Sequence, residues 1–75
     1  MLKLKDKNGS LMTYRETPSG AILMKGKREL YLSFKSVNQG KKARELIATT
    51  SFNKLFNKGR KVRIMGPNVA ALKIN

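Results

Sequence analysis

Seventy-five residues with seventeen Lys and Arg against four Asp and Glu, a formal charge of +13, leave room for one domain and too few residues for two. The chain has no cysteine and no histidine, which excludes a disulfide framework, a thiolate or imidazole metal site and an imidazole general base. A hydrophobic content of 40%, spread along the whole length, is too rich for a disordered basic tail and requires a folded core.

The N-terminal stretch Met1-Leu2-Lys3-Leu4-Lys5-Asp6 carries no apolar signal-peptide core, and no apolar run is long enough to cross a membrane. The expectation is a soluble protein of the cytoplasm or nucleoid, not secreted and with no membrane partner. Three turn signals then divide the first half into strand-length pieces. Asn8-Gly9 suits a two-residue type I′ turn, because both residues tolerate positive φ. Pro18-Ser19-Gly20 fits a three-residue loop, a type I turn followed by glycine in a left-handed bulge position. Gly26-Lys27 fits a type II′ turn, which takes glycine first. The predicted strands are 2–7, 10–17, 21–25 and 28–35.

Pairing Lys7 with Ser10, Thr17 with Ala21 and Lys25 with Arg28 sets a register, and strand alternation then assigns each side chain to a face. Leu2, Leu4, Leu11, Thr13, Ala21, Leu23, Leu30, Leu32 and Phe34 form the predicted core face. Lys3, Lys5, Lys7, Met12, Tyr14, Glu16, Ile22, Met24, Glu29, Tyr31, Ser33 and Lys35 form the other, which is basic, aromatic and partly aliphatic.

Beyond Phe34 the apolar period lengthens from two to about 3.6 residues. Ser36 is the predicted N-cap of a helix that presents Val37, Ala43, Leu46 and Ile47 and runs to Ala48. Continued to residue 57, that helix would place Phe52 opposite Ala43, so the phase must break. Thr49, Thr50 and Ser51 supply caps for a second short helix carrying Phe52, Leu55 and Phe56, ended by Gly59 in the left-handed conformation. Strands at 61–65 and 69–74, joined through Gly66-Pro67-Asn68, complete the order β-β-β-β-α-α-β-β. This is a single α+β domain, 1–75, with helices over the aliphatic face of a four-stranded antiparallel meander. The last two strands can extend the sheet at an edge, form a separate hairpin or lie over the mixed face.

A surplus of positive charge is tolerated most easily when a polyanion neutralises it, and here no acid follows Glu45. Nucleic acid, DNA or RNA, is the expected partner. On the mixed face, Tyr14 and Tyr31 offer flat surfaces for bases, with Lys3, Lys5 and Lys35 beside them for phosphates. Lys54, Lys58, Arg60, Lys61 and Arg63 form a cationic stripe from the end of the second helix along one side of the following strand. Lys41, Lys42 and Arg44 occupy the polar side of the first helix, and Gly40 precedes them, where backbone N–H groups at a helix N-terminus can receive a phosphate. Each cluster also has a plain structural reading: a second small core, cations complementing a helix C-terminus, or solvated helix surface.

Catalytic inventory is poor. Asp6, Glu16, Glu29 and Glu45 are isolated in sequence and form no evident acid–base pair, so the chain reads as a binding protein, not an enzyme, without metal or cofactor. A four-stranded meander followed by a helix resembles, in topology only, the single-strand-binding sheets of whirly and Pur-repeat proteins; that resemblance carries no residues across. The expected function is largely sequence-independent nucleic-acid binding, with single strands favoured. The alternative is an interaction or inhibitor protein whose basic surface docks on an acidic partner, such as a nucleic-acid enzyme. A second copy of the chain is a further expected partner, because Met12, Ile22 and Met24 would otherwise leave apolar surface exposed.

Overall fold

Turn chemistry determines how the strands meet, and the computed structural model, which describes residues 2–74, shows three different hairpins. Strands β1 (Leu2–Lys5) and β2 (Leu11–Thr17) are joined by a loop built around Asp6. The Asp6 Oδ1 atom accepts from the backbone N–H of Asn8 at 2.9 Å and of Ser10 at 3.0 Å, while Gly9 N donates to the Asp6 carbonyl at 3.0 Å. Only Gly9 takes positive φ, at 78°, so the loop is a three-residue turn with one left-handed glycine and not the two-residue type I′ turn expected. The next connection inverts that difference. Thr17 pairs directly with Gly20, leaving Pro18 and Ser19 as a two-residue loop and placing Gly20 inside strand β3 (Gly20–Lys25). The third turn, with Gly26 at φ 62° and Lys27 at negative φ, matches the type II′ expectation and pairs Lys25 with Arg28 at the start of β4 (Arg28–Ser33).

Each of the first two hairpins is thus displaced by one residue from the predicted register. A one-residue slip turns a strand over. The whole of β2 is inverted: Met12 and Tyr14 lie opposite Leu4 and Leu23 on the core face, while Leu11 and Thr13 face the other way. For β1 the two slips cancel, and Leu2 and Leu4 keep their expected side.

Helix α1 (Val37–Thr49) starts where Ser36 accepts from Gln39 N at 3.2 Å and the Gln39 side chain accepts from Lys35 N at 2.6 Å, a reciprocal cap. Gly40 is therefore an internal residue, bonded through its N–H to Ser36 O and packed against the Phe34 ring; it does not open the helix as an anion site. Helix α2 (Phe52–Lys58) is capped by Ser51, which accepts from Lys54 N, and by the Asp6 carboxylate, whose Oδ2 accepts from Phe52 N at 2.8 Å. Gly59 closes α2 at φ −72°, not in the left-handed conformation. What it supplies is room: a Cβ there would lie 3.0 Å from the Ala71 carbonyl oxygen and 3.3 Å from the Leu30 side chain.

After α2 the chain forms only a two-residue strand, β5 (Arg60–Lys61), then a 3-10 turn at Arg63–Met65, then β6 (Val69–Lys73). The expected strand 61–65 is cut short because Gly66 turns at φ 118° and Pro67 has no N–H to donate; the ladder closes at Val62, whose N–H reaches Val69 O at 3.0 Å. Strand β6 lies parallel to β4, with β5 antiparallel outside it, giving one sheet in the order β1-β2-β3-β4-β6-β5. Among the three placements open to the C-terminal strands, they extend the sheet. Both helices lie on the side of Leu23, Leu30, Leu32 and Ala70, where Ala43, Ile47, Phe52, Leu55 and Phe56 complete the core with Tyr14 and Met12. No helix among the described residues is long and apolar enough to cross a membrane.

Candidate nucleic-acid interface

The second face of the sheet is covered by neither helix, and strand pairing writes its composition as rows. One row runs Arg15–Ile22–Tyr31–Ala71–Arg60, each neighbour a direct cross-strand partner. A second runs Lys3–Thr13–Met24–Glu29–Val69, and a third Thr17–Gly20–Ser33–Lys73. Tyr31 sits mid-sheet and half-buried, between Ile22 and Ala71. Arg15 and Arg60 stand four strand spacings apart, roughly 19 Å. Both are exposed, as are Lys3, Lys5 and Lys73. Glu29 is the single acid on this face among the described residues. A flat aromatic with cations on both flanks is what a stacked base with its phosphates requires.

No family model, no curated protein and no solved structure matches this chain.

Tyr14 does not belong to it. At 1% exposure the ring is part of the core, which corrects its expected placement beside Lys3 and Lys5. Its hydroxyl has no hydrogen-bond partner of ordinary geometry, and burial pushes the phenol up from its usual pKa, opposed by the nearby Arg44 guanidinium. Arg44 is half-buried on α1 beside this hydroxyl, on the helix side. Met12 is buried too, so it leaves no apolar surface for a second copy of the chain, and Ile22 is shielded to 8% exposure within the face. Replacing Tyr14 by Phe removes a buried, unpaired hydroxyl and is expected to leave stability unchanged or raise it by up to about 1 kcal/mol. Because the folded-state pKa is raised, wild type should also lose stability as pH climbs above 10, where the unfolded phenol ionises first, and Tyr14→Phe should lose less. Denaturant titrations at pH 7 and above pH 10 check both; a clear loss of stability at pH 7 would mean the hydroxyl has a partner.

The remaining sequence candidates separate into groups. Lys35, Lys42, Lys58 and Arg60 line adjoining clefts where β4 and β6 end, and Lys73 lines all three of these clefts, joining them to the open face. Lys41 and Lys54 are exposed on the helix layer, away from that face. Lys61 does not continue a stripe with Arg63. Its Nζ lies 3.6 Å from the Phe56 ring centroid, on the side of the helices, and Arg63 belongs to the 3-10 turn. Arg28 covers the same ring at 5.3 Å and donates to Asn53 Oδ1 at 2.8 Å, and Lys25 lies 5.7 Å from the Phe52 ring. These three cations shield an aromatic pair whose rings are 5.8 Å apart, a packing role that accounts for part of the charge.

Arg15 and Lys73 were not singled out by sequence reasoning. A signal for Arg15 was present: in Leu11-Met12-Thr13-Tyr14-Arg15, Met12 and Tyr14 alternate with Thr13 and Arg15, so β2 by itself points Arg15 away from the core.

Proposed function

We propose that this protein binds nucleic acid through the open sheet face, with little dependence on sequence and with single strands favoured, and acts as a binding protein and not an enzyme. The observation that carries the reading is the row Arg15–Ile22–Tyr31–Ala71–Arg60, which holds one aromatic surface between two exposed guanidinium groups on a face that neither helix covers. Lys3 and Lys73 widen the positive track on either side of that row, and Lys35, Lys42 and Lys58 continue it around the end of the sheet. Phosphate contacts supply affinity through counterion release, and Tyr31 supplies the preference for unpaired bases.

Fluorescence anisotropy with labelled oligonucleotides at several salt concentrations tests this. The logarithm of affinity should fall linearly with the logarithm of salt, and Arg15→Gln with Arg60→Gln should flatten the slope by about 0.7 per lost phosphate contact on single strands. Tyr31→Ala should weaken single-strand binding by about 1–3 kcal/mol and duplex binding by less. Failure to bind DNA and RNA in dilute buffer would reject the proposal. Met24 and half-exposed Leu11 on the same face favour an acidic protein as the second reading. Partners retained from nuclease-treated lysate by a protein that ignores naked oligonucleotides would select it.

A further inference from the structure

The turn between β5 and β6 displays apolar side chains where water, not protein, surrounds them. Ile64 is 97% exposed and Met65 is half-exposed, with Pro67 exposed behind them. The turn is nevertheless ordered by its own backbone: Val62 N bonds to Val69 O at 3.0 Å, Met65 N to Val62 O at 3.1 Å and Gly66 N to Arg63 O at 3.2 Å. An ordered turn that holds an isoleucine out in solvent has prepared a contact surface. Cations outnumber acids around it. Arg63 precedes Ile64 directly and Lys27 and Arg28 line the cleft shared with Asn68 at the base of the turn, against Glu29, which pairs with Val69 where the chain returns.

Position decides among polyanions. Arg60 belongs both to the row that contains Tyr31 and to the strand that leads into the turn, and Val69, where the chain returns, is two residues from Ala71, the partner of Tyr31. The open face and the turn are thereby continuous through β5 and β6. Exposed Ile, Met and Pro side chains with cations beside them are the kind of group that proteins insert where base stacking is interrupted.

We infer that the Val62–Asn68 turn is a wedge for single-strand/duplex junctions, with Ile64 and Met65 covering the terminal base pair, Arg63 on the flanking phosphates and the unpaired strand continuing over Tyr31. This rests on the nucleic-acid reading of the open face and goes beyond it in naming the substrate class.

The test compares a hairpin bearing a single-stranded overhang, a single strand of equal length and a blunt duplex, all by anisotropy at one salt concentration. Wild type should bind the overhang hairpin about tenfold more tightly than the single strand. Ile64→Ser with Met65→Ser should abolish that preference and leave single-strand affinity unchanged. 2-Aminopurine at the first unpaired position should brighten on binding of wild type and not of the double variant. Since both side chains are exposed, thermal melting should show the variant as stable as wild type. Single-strand binding without junction preference overturns the wedge and leaves the open-face reading intact, whereas absence of all oligonucleotide binding overturns both. Junction preference that survives the double substitution also overturns it, as does an effect of the substitution seen only on anionic phosphatidylserine vesicles.

Discussion

Gly20→Ala is expected to destabilise the domain more than any other single glycine change. Gly20 occupies φ 151°, pairs with Thr17 on one side and Ser33 on the other, and lies over the β4 backbone: an added methyl would overlap the Leu32 carbonyl oxygen and sit 2.9 Å from its carbonyl carbon. Those atoms are main chain in the middle of a sheet and cannot rotate away. Both the backbone angle and the overlap act against the variant, and together they should cost about 3–5 kcal/mol. At about 0.05–0.15 kcal/mol per residue, a domain of this size holds about 4–11 kcal/mol, so the loss is a large fraction of its stability and all of it at the lower end. Gly26→Ala is the control. Gly26 has φ 62° but open space where its Cβ would be, so only the left-handed backbone penalty of about 1–2 kcal/mol applies. Circular dichroism melts of the two variants decide the matter, and equal stability would show that the β3–β4 backbone yields more easily than its hydrogen bonding implies.

Gly20 also shows why part of this fold could be read from sequence and part could not. The element order, the two helices and the face of β3 and β4 follow from local signals: a glycine-first turn at Gly26, a change of apolar period after Phe34, a phase break before Phe52. The side that β2 presents depends on the number of residues in two loops. Pro18-Ser19-Gly20 is compatible with a three-residue loop by composition, but Gly20 is needed inside the strand, where only a residue without a Cβ fits over Leu32. Asn8-Gly9 is compatible with a two-residue loop, but a side chain two residues upstream captures the backbone first. Tyr14 consequently moved from the candidate site to the core, and Arg15 took the exposed position. The C-terminal strand pair is present as expected, with only the first strand shorter than 61–65, although Arg-Lys-Val-Arg-Ile-Met alternates like a strand throughout; which of the open placements the pair takes depends on parallel pairing of β6 with β4, a tertiary contact that no local pattern encodes. Cations read as one stripe separated accordingly, with Lys61 drawn onto Phe56 and Arg60 left on the open face.

Asp6 is the residue on which the first of those loops turns, and replacing it is expected to damage both stability and register. The carboxylate is buried and uses both oxygens as acceptors, Oδ1 for Asn8 and Ser10 and Oδ2 for the first N–H of α2 at Phe52, so one side chain fastens the β1–β2 hairpin to the helix layer. These bonds, the one from Phe52 foremost, hold its pKa below the ordinary aspartate value against the opposing effect of burial. A lowered folded-state pKa means that the stabilisation is present above the unfolded pKa and is lost as pH falls through the folded one. Asp6→Ala removes every acceptor and should lower Tm by on the order of 10 °C at pH 7. Asp6→Asn keeps one acceptor oxygen but turns an NH2 group toward either the turn or Phe52, setting donor against donor, and should fall between the two. The gap between wild type and either variant should narrow as pH drops from about 5 to about 2, because protonation removes from wild type what the substitution already removed. Without the Asp6 side chain, Asn8-Gly9 is free to form the two-residue turn its composition favours, and β1 would slip by one residue, carrying Leu2 and Leu4 out of the core and Lys3 and Lys5 toward it. Amide exchange should therefore accelerate first in β1 and at Phe52, ahead of β3 and β4. A Tm within about 2 °C of wild type, with β1 protection intact, would show that the glycine and the ladder hold this hairpin without the carboxylate.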